Sequence, residues 1–198
     1  MARANITAQR RREIVDATVR VMGARGWNET SIDEIAKEAG ISRGLVSYHF
    51  KDKNELLSGV LERCREMFLE AVRGSVGSDE RPDEQMRCAT HASLLMAREN
   101  SVPYEIFLHF STSGLADPRL AEQIRDLYRT YRSVTAAAIR TGQEQGFYRA
   151  GIDPLAAAAK HQGTIIGIAL QWIIDPGMFD LEAAADQATE MPRASLAP

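Results

Sequence analysis

An all-α fold of about nine helices is what this 198-residue sequence predicts, on three observations. Apolar residues recur at three- and four-residue spacing almost throughout, and no stretch alternates apolar and polar residues as a half-buried strand would. Glycines and Asp-Pro pairs fall where those periodic stretches stop and restart. Between Thr30 and Leu57, TSIDEIAKEAGISRGLVSYHFKDKNELL holds two short helical patterns separated by one tight turn.

Helix one is expected over about Thr7 to Ala24. Ile14, Ala17, Thr18, Val21 and Met22 fall on one stripe, and Gly26 stops it. Trp27 and Ile6 are expected to complete the small core built on that stripe. A capping box, Ser31 with Glu34 three residues on, starts helix two, whose Ile32, Ile35, Ala36 and Ala39 share a face. Gly40 then supplies the left-handed conformation of a C-cap, and Ser42 is the N-cap of helix three. Two helices joined by a tight glycine-containing turn form the helix-turn-helix unit, whose second helix reads the major groove of DNA.

Spacing says which residues face that groove. At about 100° per residue, Val46 and Phe50 share the inward side of helix three, while Gly44, Ser47 and Tyr48 point away. Arg43 and Gly44, at the N-terminal end, are the expected base readers. Arginine grips guanine through two parallel hydrogen bonds, and glycine lets the backbone approach closely. Tyr48 and His49 carry ring donors suited to phosphate oxygens, and Lys53 adds a point charge for the backbone. Thr30, Ser31, Ser42, Leu45 and Ser47 complete the set expected at DNA.

Helix four, opened by Asp52 and Glu55, runs through Leu56, Val60, Cys64, Met67, Phe68 and Ala71 to Gly74. About twenty residues span roughly 30 Å, so this helix, about 53–74, ties the DNA-binding unit to the rest of the chain. Gly74 to Pro82, rich in Gly, Ser and acids, reads as a linker. Helix five is expected from Asp83 to Glu99 and helix six from Pro103 to Ser113. Asp117-Pro118 and Asp153-Pro154 each set a capping carboxylate before a proline that suits a first helical turn. The first opens a helix carrying Leu120, Ile124, Leu127, Tyr131, Val134 and Ala138, ending near Gly142 to Gly146. The second opens a helix over Leu155 to Ile174, stopped by Asp175-Pro176-Gly177. A last helix is expected from Phe179 to about Thr189, with MPRASLAP frayed.

Charge is divided. Residues 1–53 hold ten Lys or Arg against seven Asp or Glu, and the remaining 145 hold fourteen against twenty, which together give the net charge of −3. The basic excess lies beside the helix-turn-helix, and Arg3, Arg10, Arg11 and Arg12 extend it into an N-terminal arm expected to be mobile and to add phosphate or minor-groove contacts. The longest apolar run, Gly163 to Ile174, is interrupted by Gln171 and too short to span a bilayer. The Arg-rich N-terminus has no apolar signal region, so a cytoplasmic protein is expected. Cys64 and Cys88 form no CxxC pair, and Cys64 is expected in the core as a reduced thiol. His91 and His109 share no ligand spacing with Cys, Asp or another His, so no metal and no cofactor is expected.

The segment resembles the DNA-binding domain of the tetracycline-repressor (TetR) family of bacterial transcription regulators. The resemblance runs through Thr30-Ser31, Ile35-Ala36, Ala39-Gly40, Ser42, Gly44, the aromatic pair before Phe50, Lys53 and Leu56-Leu57. It departs at Leu45, where a small hydroxyl residue is commoner, and at Ser47, where many members carry an aromatic residue. Ser47 with Asp52-Lys53-Asn54 resembles the branch that includes the choline and betaine pathway regulators. The resemblance implies a helix-turn-helix domain over residues 1–52 and a larger helical effector-binding and dimerisation domain over 53–198.

Within that second domain the resemblance implies a ligand cavity enclosed by helices that carry Met67, His91, Leu94, Met96, Phe107, Phe110, Tyr128, Tyr131, Gln162 and Ile166. Large apolar residues with a few polar groups suit a moderately hydrophobic small molecule. The helix at 154–174 is the candidate dimer face: Ala156 to Ala159, Gly163 and Gly167 permit close approach, and Ile166, Leu170, Ile173 and Ile174 supply apolar area. The resemblance pairs it with the helix at 179–189 in an intersubunit bundle, so that two recognition helices read a palindromic operator on double-stranded DNA. A repressor released by its effector through a population shift is the implied mechanism. Two other classes stay open. One is a DNA-binding or interaction module whose C-terminal domain only dimerises. The other is an α-helical enzyme, although the chain has no phosphate-cradling glycine loop, no GxSxG elbow and no paired metal ligands.

Overall fold

The computed structural model describes residues 2–77, 81–115 and 117–196, with side chains described except at 2–5, 119 and 190–196. Among the described residues there are nine helices and no strand: α1 (Ala2–Arg25), α2 (Ile32–Glu38), α3 (Arg43–His49), α4 (Lys53–Ser75), α5 (Pro82–Glu99), α6 (Val102–Ser113), α7 (Pro118–Glu144), α8 (Pro154–Ile174) and α9 (Leu181–Leu196). Most ends fall where the punctuation puts them. Gly26, Gly40 and Gly146 adopt φ of 77°, 65° and 78°, left-handed values that a side chain would resist. Asp153 caps α8 by accepting from the Leu155 N–H at 3.0 Å, with Pro154 in the first turn.

The chain divides into two compact units, Met1–Met67 with Glu105–Gln123, and Phe68–Tyr104 with Ile124–Pro198. Each crossing falls inside a helix, in α4, α6 and α7, and the first unit extends past the division expected after residue 52.

In the first unit the α1 stripe of Ile14, Ala17, Thr18, Val21 and Met22 is buried, as are Ile35 and Ala36 of α2, Val46 and Phe50 around α3, and Leu56, Leu57, Val60, Leu61 and Cys64 of α4. Each large aliphatic side chain withdrawn from water in this way contributes about 1.5–3 kcal/mol against chain entropy. A glycine at position 59 lets α4 lie close on α1, since a Cβ there would sit 2.9 Å from Val15 Cγ2. Arg63 Nε donates to Asp16 Oδ1 at 2.8 Å and fixes the same pair of helices.

The second unit has two apolar clusters. Leu94, Ala97, Tyr104, Ala169, Leu181, Ala185 and Ala188 form one, drawing on α5, α6, α8 and α9. Met86, Ala136, Ile139, Tyr148 and Ala158 form the other. A Cβ on Gly142 would collide with the Tyr148 ring, so the bare glycine makes room for that ring at the end of α7.

Several expectations change. Helix α1 begins at Ala2, so the backbone of the arm expected to be mobile is helical as far as it is described. Ile6 is exposed and adds nothing to the small core. Helix α9 continues to Leu196 through much of the tail expected to fray, while Ala197 and Pro198 lie outside the described residues. Val134 is half exposed, and Ala136 and Ile139 hold the inner face of α7 in its place. A fixed register drifts over twenty-seven residues, because 3.6 does not divide the spacing evenly.

Candidate nucleic-acid interface and effector domain

The turn between α2 and α3 is built by short-range chemistry. Ser31 Oγ accepts from the Glu34 N–H at 3.3 Å while Glu34 Oε2 accepts from the Ser31 N–H at 3.1 Å, which closes the capping box. The Ser31 hydroxyl, which donates to Glu34 Oε2 at 3.0 Å, and the Ser31 N–H together hold the Glu34 carboxyl below the usual carboxylate range, with Arg25 assisting. Gly40 then turns the chain, and Ser42 Oγ accepts from the Leu45 N–H at 3.3 Å to start α3. Helix α3 presents two different faces. Val46 and Phe50 are buried, whereas Arg43, Gly44, Ser47 and Tyr48 are exposed, Tyr48 to 76%.

The expected DNA-facing residues separate on geometry. Arg43, Gly44, Ser47 and Tyr48 stand free of the core, as does Ser42 at the cap, and Leu45 is half-buried. Thr30 is turned inward: it is buried, and its hydroxyl donates to the Gly26 carbonyl at 2.8 Å. Ser31 is exposed but its hydroxyl serves the capping box. His49 is buried, and its carbonyl accepts from Arg11 Nη1. Backbone geometry and solvent access therefore give Thr30, Ser31 and His49 supporting parts that residue type alone does not reveal.

Arg11 joins three elements. Its guanidinium reaches the end of α3 through His49, donates to Glu55 Oε1 at 2.8 Å and lies 4.2 Å over the Phe50 ring. Glu55 Oε2 accepts in turn from the Lys51 N–H at 2.8 Å. The Lys51 and Arg11 bonds keep the Glu55 carboxyl below its usual range. Arg10 pairs with Glu13 and Arg12 with Glu66, so the basic run of α1 is engaged within the protein as well as facing outward. Lys53, exposed at the start of α4, carries its Nζ 4.3 Å over the Trp27 ring.

The residues expected to line an effector cavity are divided between the units. Met67, Phe107 and Phe110 belong to the first, where Phe110 is buried and meets Trp27 edge-on at 5.0 Å between ring centroids. His91, Leu94, Tyr128, Tyr131, Gln162 and Ile166 belong to the second. Leu94 and Met96 are buried, and Leu94 belongs to the cluster built on α5, α6, α8 and α9. His91 Nε2 lies 2.9 Å from Asp186 Oδ1. Tyr131 packs against Phe68, which packs edge-on against Tyr104, with ring centroids 5.7 and 4.7 Å apart. The Gln162 side-chain nitrogen is buried with no hydrogen-bond partner among the described residues. Spacing did not single out Phe68 or Trp27 as partners of these rings, because the contacts join helices distant in sequence.

His161 was not anticipated either. It is buried on α8, with Nε2 2.8 Å from Thr90 Oγ1. The Thr90 hydroxyl has one proton and lies 2.7 Å from the Met86 carbonyl, which takes it. Nε2 therefore donates to Thr90 and carries the ring proton. Burial pushes the His161 pKa down to about 4, which keeps the ring neutral. Among the described residues no group of three or more His, Cys, Asp or Glu could hold a metal ion, and no helix is long and apolar enough to cross a membrane.

Comparison with known proteins bears on the same two regions. The family model for bacterial regulatory proteins of the tetR family matches residues 14–60, and the one for the C-terminal region of BetI-type transcriptional repressors matches 82–196. The HTH-type transcriptional regulator BetI of Cronobacter sakazakii is 31% identical over 196 residues, covering 95% of this chain and 91% of that protein. Among solved structures, a putative transcriptional regulator from Saccharomonospora viridis in complex with choline superposes with a TM-score of 0.83 at 21% identity, covering 96% of this chain and 99% of that one. The complex of SmeT, the multidrug efflux pump repressor of Stenotrophomonas maltophilia, with triclosan superposes with a TM-score of 0.80 at 26% identity, covering 96% and 92%.

Proposed function

Because this chain belongs to the TetR family of bacterial transcriptional regulators and has a BetI-type C-terminal region, we propose that it binds a palindromic operator as a homodimer and leaves it when a small molecule occupies the C-terminal domain. It is a ligand-responsive, DNA-binding repressor and not an enzyme. The observation that carries the DNA side is the two-faced α3, with Val46 and the C-cap residue Phe50 inward and Arg43, Gly44, Ser47 and Tyr48 outward. Arg43 and Gly44 read base edges, while Tyr48 and Lys53 hold phosphates. Such a repressor acts in the cytoplasm, on the chromosome.

The dimer face is α8. Leu155, Leu170 and Ile174 are exposed there, Ile174 to 73%, and a Cβ at Gly163 or Gly167 would meet nothing within 4 Å inside the subunit. Helix α9 contributes from its outer side only, since Leu181, Ala185 and Ala188 are buried within the subunit. A two-fold axis through this face sets the two recognition helices on half-sites about 34–36 Å apart, or slightly more.

The effector is a moderately hydrophobic molecule bearing a hydrogen-bond acceptor. Phe68 and Tyr131, both only partly buried, offer ring surfaces, and the buried Gln162 nitrogen offers a donor. SmeT holds triclosan and the Saccharomonospora viridis regulator holds choline, so the fold accommodates small molecules of different polarity. Binding that is tighter when α4 has tilted lowers operator affinity by the differential binding energy alone.

Fluorescence anisotropy with the duplex upstream of the protein's own gene tests the DNA side. Affinity should fall steeply with salt, and Arg43→Ala should weaken specific binding by about tenfold while relaxing sequence preference. Binding no tighter than to a random-sequence duplex would overturn the assignment.

A further inference from the structure

We propose that Asp33 is a positioning residue for Arg43 and thereby sets sequence discrimination, a role that rests on Arg43 being a base reader. Asp33 stands in the first turn of α2 and Arg43 is the first residue of α3. Arg43 Nη1 donates to both carboxylate oxygens of Asp33, at 3.1 Å to Oδ2 and 3.4 Å to Oδ1. One nitrogen is thus shared between two acceptors. The guanidinium makes no other hydrogen bond among the described residues, so its Nε and Nη2 donors remain available as the fork that matches guanine O6 and N7.

Both side chains are about two-thirds exposed, 68% for Arg43 and 67% for Asp33. A pair so open to water adds little to folding stability. Its effect lies in the conformation it selects: an arginine anchored by one nitrogen has fewer rotamers to lose when it docks on a base edge. The carboxylate also penalises wrong sequences. When no guanine is offered, the guanidinium gains most by swinging to a phosphate, and that motion strands Asp33 unpaired beside a polyanion. Without Asp33 the same arginine serves as an unspecific phosphate contact.

The test uses the full-length protein, the duplex upstream of its own gene and a random-sequence duplex of equal length, across a salt series. Asp33→Asn should tighten random binding by about fivefold while changing specific binding by less than about twofold, and should steepen the random-duplex salt slope by about one. Asp33→Glu should recover most of the lost discrimination. Glu29→Gln removes a different exposed charge and should leave the ratio of affinities unchanged. In an Arg43→Ala background Asp33→Asn should no longer alter the ratio. Equal scaling of both duplexes by Asp33→Asn, or the same effect from Glu29→Gln, or its persistence without Arg43, would overturn the role of Asp33. Unchanged discrimination in Arg43→Ala alone would instead overturn the base-reader assignment beneath it.

Discussion

Lys53 holds its ammonium over the face of Trp27, 4.3 Å from the ring centroid, and the same indole meets Phe110 edge-on at 5.0 Å. The charge expected to anchor a phosphate therefore rests on a ring that a residue of α6 also holds. A cation over an aromatic face gains about 0.5–1 kcal/mol at an exposed site, enough to restrict a flexible lysine without sequestering its donors. Lys53→Ala should weaken binding to all duplexes by a similar factor and reduce the salt slope by about one. Trp27→Leu should produce a smaller uniform loss, and adding Lys53→Ala to it should cost less than in the native background. Additive losses in anisotropy titrations would show that the ring and the charge act separately.

The capping box makes α2 sensitive to acid. Glu34 and Glu55 titrate below the usual carboxylate range, so each contributes stability that is present above the ordinary glutamate value and lost as pH falls through the lowered one. Protonated Glu34 no longer accepts well from the Ser31 N–H, and protonated Glu55 releases Lys51 and Arg11. Thermal melts should show a drop below about pH 4.5 that Glu34→Gln flattens in part. Ser31→Ala should cost about 1 kcal/mol at neutral pH, the usual worth of an N-cap. Its effect on operator affinity should be no larger than the destabilisation of α2 explains.

Much of the first unit was legible because its signals are local. A cap, a glycine at positive φ and a 3.6-residue stripe each lie within a few positions of what they specify, so Ser31, Gly40, Ser42 and the α1 stripe were readable one by one. Which polar side chains reach solvent was not legible in the same way. Thr30 turns to Gly26 and His49 is buried with its carbonyl on Arg11 because of packing by residues up to thirty-eight positions distant. The effector side was harder still. Phe68 against Tyr104 and Tyr131, and His161 against Thr90, join helices far apart in sequence, and helical periodicity marks a buried face without naming the opposing residue.

Neutral His161 is a second source of pH dependence, at higher pH than the carboxylates. Its pKa falls from 6.5 to about 4 on burial, so the folded state disfavours the proton that the unfolded chain accepts. Stability is complete above 6.5 and declines as pH falls from there to about 4, by roughly 2 kcal/mol at pH 5 at 1.36 kcal/mol per unit. His161→Gln should shrink the pH 7-to-5 difference in chemical denaturation midpoints. Thr90→Val leaves the Nε2 donor without its acceptor and should cost about 1–3 kcal/mol at pH 7. If His161→Gln retains the whole pH 7-to-5 loss, the titration belongs to other groups.

Gly163 and Gly167 give the proposed dimer face a test in which two effects oppose each other. A glycine inside a helix costs about 1 kcal/mol relative to alanine, and neither glycine has anything within 4 Å of where a Cβ would stand. For an isolated subunit, alanine at either position should therefore be stabilising. If a second copy approaches α8 at these glycines, alanine weakens the dimer while strengthening the helix, and leucine weakens it further. Sedimentation at micromolar concentration should show native dimer, a partly dissociated Gly163→Ala, and monomer for the Gly163→Leu, Gly167→Leu double variant. Monomers should melt cooperatively and bind operator far more weakly, because each then holds a single half-site. A double leucine variant that stays dimeric with native operator affinity would place the interface on another face.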